Sequence, residues 1–178
     1  HAPSPATGFL WVGSFRRRKR PELFLELARR MPQAAFTIIG GGGDDPAFHD
    51  EIVAVIESLG NVDYPGFMKP DDIEKYYSSA YAYINTSTLE GFPNTYLHSW
   101  RHGVPVLTIE IDPDSLIRDN GIGEYAGDLE GLVLVAERLL ASPVEREAMS
   151  TRALAYVAAN HDIREKADQY IDLFERLV

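Results

Sequence analysis

The stretch TLEGFPNTYLHSW, residues 88–100, sets a carboxylate, Glu90, ahead of Gly91-Phe92-Pro93, with a second polar side chain, His98, eight residues on. Proline suits the first helical turn, because its φ is already helical and the amide it lacks would be unpaired there. A helix entered at Pro93 leaves its first amides unpaired and facing outwards, and such an end attracts anions. Projected along a helix, Glu90, Asn94 and His98 follow one stripe at spacings of four, while Leu97 and Trp100 point elsewhere. If the path were helical throughout, Glu90 and His98 would stand roughly 12 Å apart. Two polar arms with main-chain nitrogens between them suit an elongated ligand with an anionic middle, and a nucleoside diphosphate sugar has that layout. A plainer account also fits: an acidic group placed favourably at a helix N-terminus, and an exposed histidine.

A second candidate is the run Arg16, Arg17, Arg18, Lys19 and Arg20, in a chain of 17 basic and 27 acidic side chains. Like charges this dense require solvent or an anion. A phosphate or diphosphate would accept charge-assisted hydrogen bonds from them; the alternative is a solvated loop. Gly40–Gly43 lets a backbone approach a ligand closely. It is no dinucleotide fingerprint, since Asp45 stands where the third glycine belongs, and no P-loop, since no Lys-Ser/Thr follows. Gly121-Ile-Gly123-Glu-Tyr-Ala126 fits G-x-G-x-x-A but lacks a strand before it, which disfavours a nicotinamide site there. Asn85-Thr-Ser87 matches a glycosylation sequon, read as chance in a chain showing no secretory signal. Asp112 and Asp114 flank a proline and read as a loop turn, so no metal site is assigned.

These residues need elements to position them, and the chain alternates strand and helix. Apolar runs at 8–13, 34–43, 61–66, 80–85 and 104–109 read as five short buried strands. Helical patterns fall at 21–31, 46–60, 69–80, 91–103, 128–142, 143–160 and 163–178. The class is therefore α/β, a Rossmann-like parallel sheet sandwiched by helices. Ligands on such sheets sit outside the carboxyl ends of the strands. The informative segments are then GSFRRRK, GGGG, GFMK, NTSTLEG and EIDPD, each following a strand.

Composition sets the outer bounds. The 178 residues are 45% apolar, enough for one domain with a real core. The absence of cysteine excludes disulfides and thiolate chemistry. A net charge of −10 disfavours nucleic acid as a partner. HAPSPATG has no signal-peptide pattern and reads as a linker remnant over 1–8, followed by a domain over 9–160. A cytoplasmic location follows as the expectation.

The ordered motifs FLWVGSFRRRKRPELFLELA, FTIIGGGG, VDYPGFMKPDDIEKYYSSAYAYINTSTLEGFPNTYLHSW and GVPVL resemble the nucleotide-sugar-binding C-terminal domain of the retaining glycosyltransferases of family four, one half of the two-domain GT-B fold. The resemblance covers nearly the whole chain. It implies that Gly13 and Lys19 meet the donor diphosphate; Ser14, counted with the donor-binding residues, stands where the family often has arginine, and Arg18 or Arg16 is the candidate to substitute for it. It implies that Gly66, Phe67 and Met68 contact the base, and that the amides of Gly91, Phe92 and Asn94, around Pro93, meet the diphosphate. Glu90 opens the family's Glu-x7-Glu pair and is the implied catalytic residue, holding the transferred sugar and stabilising charge at its reacting carbon. The second glutamate is replaced by His98, which can bond a ribose hydroxyl but cannot act as a bidentate anionic acceptor.

No cofactor is implied beyond the donor substrate. The resemblance also implies an acceptor site on an N-terminal domain not represented here, so the isolated chain is expected to bind donor without transferring sugar. The apolar stripe Ile163, Ala167, Tyr170, Ile171, Phe174 and Leu177 would let helix 161–178 brace that domain, or pack on its own sheet. Polysaccharide or lipid-linked glycan assembly, with peripheral association at the inner membrane face, is the family's usual setting. The alternative function is a non-catalytic nucleotide or nucleotide-sugar module with a degenerate ribose site.

Overall fold

The computed structural model describes residues 8–161 and residue 174. Six parallel strands form one sheet: β1 (Phe9–Gly13), β2 (Phe36–Gly40), β3 (Val62–Gly66), β4 (Ala82–Asn85), β5 (Val106–Thr108) and β6 (Gly123–Tyr125). Their spatial order is β3-β2-β1-β4-β5-β6. The strand order reverses direction between β1 and β4, which pair in the register Phe9↔Ala82 and Leu10↔Tyr83. A doubly wound sheet of this order opens its ligand crevice beyond the carboxyl ends of those two strands.

Helices α1 (Pro21–Arg30), α2 (Pro46–Glu57) and α6 (Leu129–Ala141) pack on one face, and α3 (Pro70–Ser79), α4 (Asn94–Arg101), α5 (Leu116–Asn120) and α7 (Pro143–Asn160) on the other. Successive strand side chains serve opposite faces. Phe9 and Trp11 join the core of Phe24, Leu27 and Leu132, while Leu10 joins that of Tyr83, Tyr96 and Trp100. Burial on both sides explains why these strands read as continuous apolar runs rather than alternations.

The five expected strands are all present, and β6 is a sixth at the sheet edge. With only the residues Gly123, Glu124 and Tyr125 it carries no apolar run to betray it. The Gly121–Ala126 motif is thereby explained without a nucleotide: Gly121 caps α5 in a left-handed conformation (φ 57°) and Gly123 already lies in β6. Asn85 is buried and its side chain accepts from the Ser87 amide, so the sequon is not presented to solvent. The expected helix 163–178, apart from Phe174, which is exposed, and residues 1–7 of the expected linker 1–8 lie outside the described residues. Among the described residues no helix is long and apolar enough to cross a membrane.

Candidate functional site

At the carboxyl end of β1 the main chain itself forms one wall. Gly40 has φ 137°, and a Cβ there would lie 1.7 Å from the Gly13 carbonyl oxygen, so the ends of β1 and β2 approach as only glycine permits. Beside them a slot of about 170 Å³ is bounded by Gly13, Ser14, Gly41, Phe67, Met68 and Ile73. Four expected donor-binding residues, Gly13, Ser14, Phe67 and Met68, thus come together. Gly66 lies outside the wall; its left-handed φ of 78° turns the chain out of β3 and carries Phe67 and Met68 to the slot. Phe67 is 83% exposed, so an apolar ring stands over an apolar floor, a setting for a flat ligand.

A second cavity of about 190 Å³ shares Val12 and Ile73 with the first and continues to Glu74, Tyr77, Asn94 and His98. Glu74, on α3, was not singled out from sequence. Its Oε1 meets Nδ1 of His98 at 3.1 Å, its Oε2 meets Nε2 of His102 at 2.7 Å, and Arg101 pairs with Oε2 as well. Arg101 foremost, with His102 and His98, holds the Glu74 carboxyl down at about 2. The folded value lies below the ordinary 4.5, so the stabilisation is complete above that pH and is lost as pH falls towards 2. Thermal melts taken from about pH 6 down to about pH 2.5 should therefore show an acid-side loss of stability that is visibly shallower in Glu74→Gln.

The expected stripe Glu90–Asn94–His98 is corrected by the structure. The helix begins at Asn94, and Pro93 precedes it in an extended conformation (φ −70°, ψ 118°). The chain is held off the helical path because 86–90 is fastened to the loop after β1. The Thr88 amide donates to Arg18 O at 2.9 Å, Thr86 Oγ1 donates to Lys19 O at 2.6 Å, and Trp11 Nε1 donates to Thr86 Oγ1 at 3.1 Å. Asn94 and His98 still share a helix face and a cavity; Glu90 belongs to a different wall. Its carboxylate, 14% exposed, pairs with Lys19 Nζ and accepts from the Ser87 hydroxyl at 2.8 Å. A carboxylate and an ammonium thus stand side by side just ahead of α4, whose opening amides at Asn94 and Thr95 precede its first backbone bond, from Tyr96 N to Pro93 O at 3.0 Å.

The remaining cations also find carboxylates. Arg16 faces Asp44 at 3.7 Å, Arg17 bonds Asp45 at 3.0 Å and Arg20 bonds Glu110 at 2.8 Å. Arg18 alone reaches only a carbonyl, Leu89 O, at 3.5 Å, and keeps its charge available at the surface. Arg20, itself left-handed (φ 48°), also donates to Thr86 O at 2.6 Å and so ties together the loops after β1, β4 and β5. Glu110, Ser87 and Thr86 lay within segments flagged by the strand-end rule, but Glu74 carried no such signal. Among the described residues no group of three His, Asp or Glu is placed to hold a metal ion.

Residues 6–142 match the family described as glycosyl transferases group 1. Glycosyltransferase 1 domain-containing protein 1 of Xenopus tropicalis is 25% identical over 174 residues, which is 95% of this chain and 50% of that protein. The alpha-monoglucosyldiacylglycerol synthase of Streptococcus pneumoniae is 31% identical over 137 residues, 73% of this chain and 30% of that protein. The chain thus spans half the length of the first relative and less of the second. Among solved structures, Anabaena HepE in complex with UDP superposes with a TM-score of 0.82 at 15% identity, over 96% of this chain and 49% of HepE, a likeness of fold.

Proposed function

The chain belongs to the group 1 glycosyltransferases, and from that premise we propose that it is the donor-binding half of a retaining enzyme that takes a sugar from a nucleoside diphosphate sugar. One observation carries this reading: side by side lie an apolar slot, an adjoining largely apolar cavity that presents Asn94 and His98, the N-terminus of α4 and, just ahead of that helix, a Lys19–Glu90 pair. That order matches base, ribose, diphosphate and sugar. In this reading Gly66, Phe67 and Met68 contact the base. The loop after β1, through Gly13, Arg18 and Lys19, joins the first amides of α4 in neutralising the leaving diphosphate by electrostatic preorganisation. Glu90 holds the sugar hydroxyls and opposes the positive charge that develops at the reacting carbon. The nucleotide supplies no redox chemistry, and no covalent enzyme intermediate is invoked.

The acceptor site is assigned to a domain not included in this chain, with residues 161–178 bracing it, and the setting to glycan assembly on the cytoplasmic side of a membrane. HepE has been solved with both UDP and UDP-glucose, which makes uridine nucleotides the first ligands to try. Calorimetric titration of the chain with UDP-, GDP- and ADP-linked sugars should give saturable heat with one of them; silence with all would remove the donor-binding role. The position of His98 favours a second reading, a module that keeps the nucleotide and has lost transfer. It predicts saturable binding of the bare nucleotide with no added heat from the sugar.

A further inference from the structure

Glu74 lies on neither crevice loop, yet it governs the ring that lines the second cavity. Arg101, His102 and His98 all converge on it, and Arg101 foremost keeps it ionised through the neutral range. An ionised carboxylate can only accept, so the His98 nitrogen facing it, Nδ1, carries the proton. A neutral imidazole protonated at Nδ1 offers a lone pair at Nε2. The ring is also fixed in plane, stacked on Tyr77 with centroids 5.5 Å apart and 21° between planes. Nε2 has no partner among the described residues, and the cavity beside His98 is otherwise walled largely by Val12, Pro70 and Ile73. A hydroxyl entering an apolar cavity must find an acceptor or lose the bond it made with water.

We propose that Glu74 is a positioning residue that fixes the His98 tautomer, so that Nε2 accepts a ribose hydroxyl of the bound nucleotide. This rests on the reading of the crevice as a nucleotide site and assigns a specificity determinant within it. The pair regains from two helices the acceptor that a single carboxylate at position 98 would supply. Asn94 and Thr95 border the same cavity, but as neutral side chains they do not select between the two tautomers.

The test is calorimetric titration of the 178-residue chain with UDP, GDP and ADP, each with its 2′-deoxy and 3′-deoxy forms. The parent should prefer the ribonucleotide over one deoxy form by about tenfold, the worth of one buried hydrogen bond. In Glu74→Gln the enforced tautomer is lost, and the preference should fall to about twofold or less. His98→Asn keeps an amide donor in place of Nδ1 for Glu74 but has nothing in place of Nε2, and should lose the preference equally. Its result stands even if Glu74→Gln fails to fold. Retention of the preference in His98→Asn, or in a folded Glu74→Gln, overturns the proposal while leaving the nucleotide reading intact, as does a parent with no preference. A parent chain that binds no nucleoside diphosphate at all overturns both.

Discussion

A Glu90→Gln chain is expected to lose about tenfold or more in affinity for an intact nucleotide sugar while holding the bare nucleotide to within about twofold. The substitution keeps the side chain's shape and its bond from Ser87, but removes the charge facing Lys19. Two consequences then separate. The ammonium, no longer neutralised, remains free to meet a diphosphate, which preserves or strengthens binding of the nucleotide alone. The sugar loses an anionic acceptor for its hydroxyls. If Glu90 has the proposed role, the larger effect in the whole enzyme should fall on transfer, where the carboxylate would oppose charge developing at the reacting carbon. A loss of about 100- to 1,000-fold in kcat is the scale for removing one such preorganised group. Equal losses for both ligands in calorimetry, or an unchanged kcat, would show that Glu90 serves only to hold Lys19.

The second large effect concerns the helix that presents His98. Trp100 is fully buried, donates from Nε1 to Ile122 O at 3.0 Å, and packs against Tyr96, Tyr156 and Phe92 at ring-centroid distances of 5.3, 5.6 and 6.4 Å. It therefore pins α4 to the α5–β6 turn and to α7 at once. Trp100→Ala should cost about 3–5 kcal/mol through the cavity it opens, with the orphaned Ile122 carbonyl adding to it. The melting temperature should drop by about 10 °C or more. Trp100→Phe, which keeps most of the volume and loses only the hydrogen bond, should recover most of that drop. A parent-like melt for the alanine variant would mean that α4 is held by other contacts.

The division between what the sequence discloses and what it hides follows from range. Strands β1, β2 and β4 are buried on both faces, so their apolar runs are continuous and visible; β6, short and at the edge, needs no such run. Gly13, Ser14, Phe67 and Met68 were foreseeable as neighbours because one rule of parallel sheets sends every strand-end loop to the same edge. The path of 88–93 was not, because helical spacing is a local inference. The bonds that keep Glu90 off α4 come from residues 18–20, some 70 positions away in the chain. Glu74 eluded the reading for the same reason. Its partners sit 24 to 28 residues further on, and only the packing of α3 on α4 brings them within reach.

The near contact of Gly40 with the Gly13 carbonyl also bears on redesign of this chain. A wall made of the Gly13 and Gly40 peptide bonds offers no side chain to exchange, and adding even a methyl group at Gly40 would force two strands apart. Reshaping that side of the slot is blocked, whereas Phe67, 83% exposed above it, has room for new shapes.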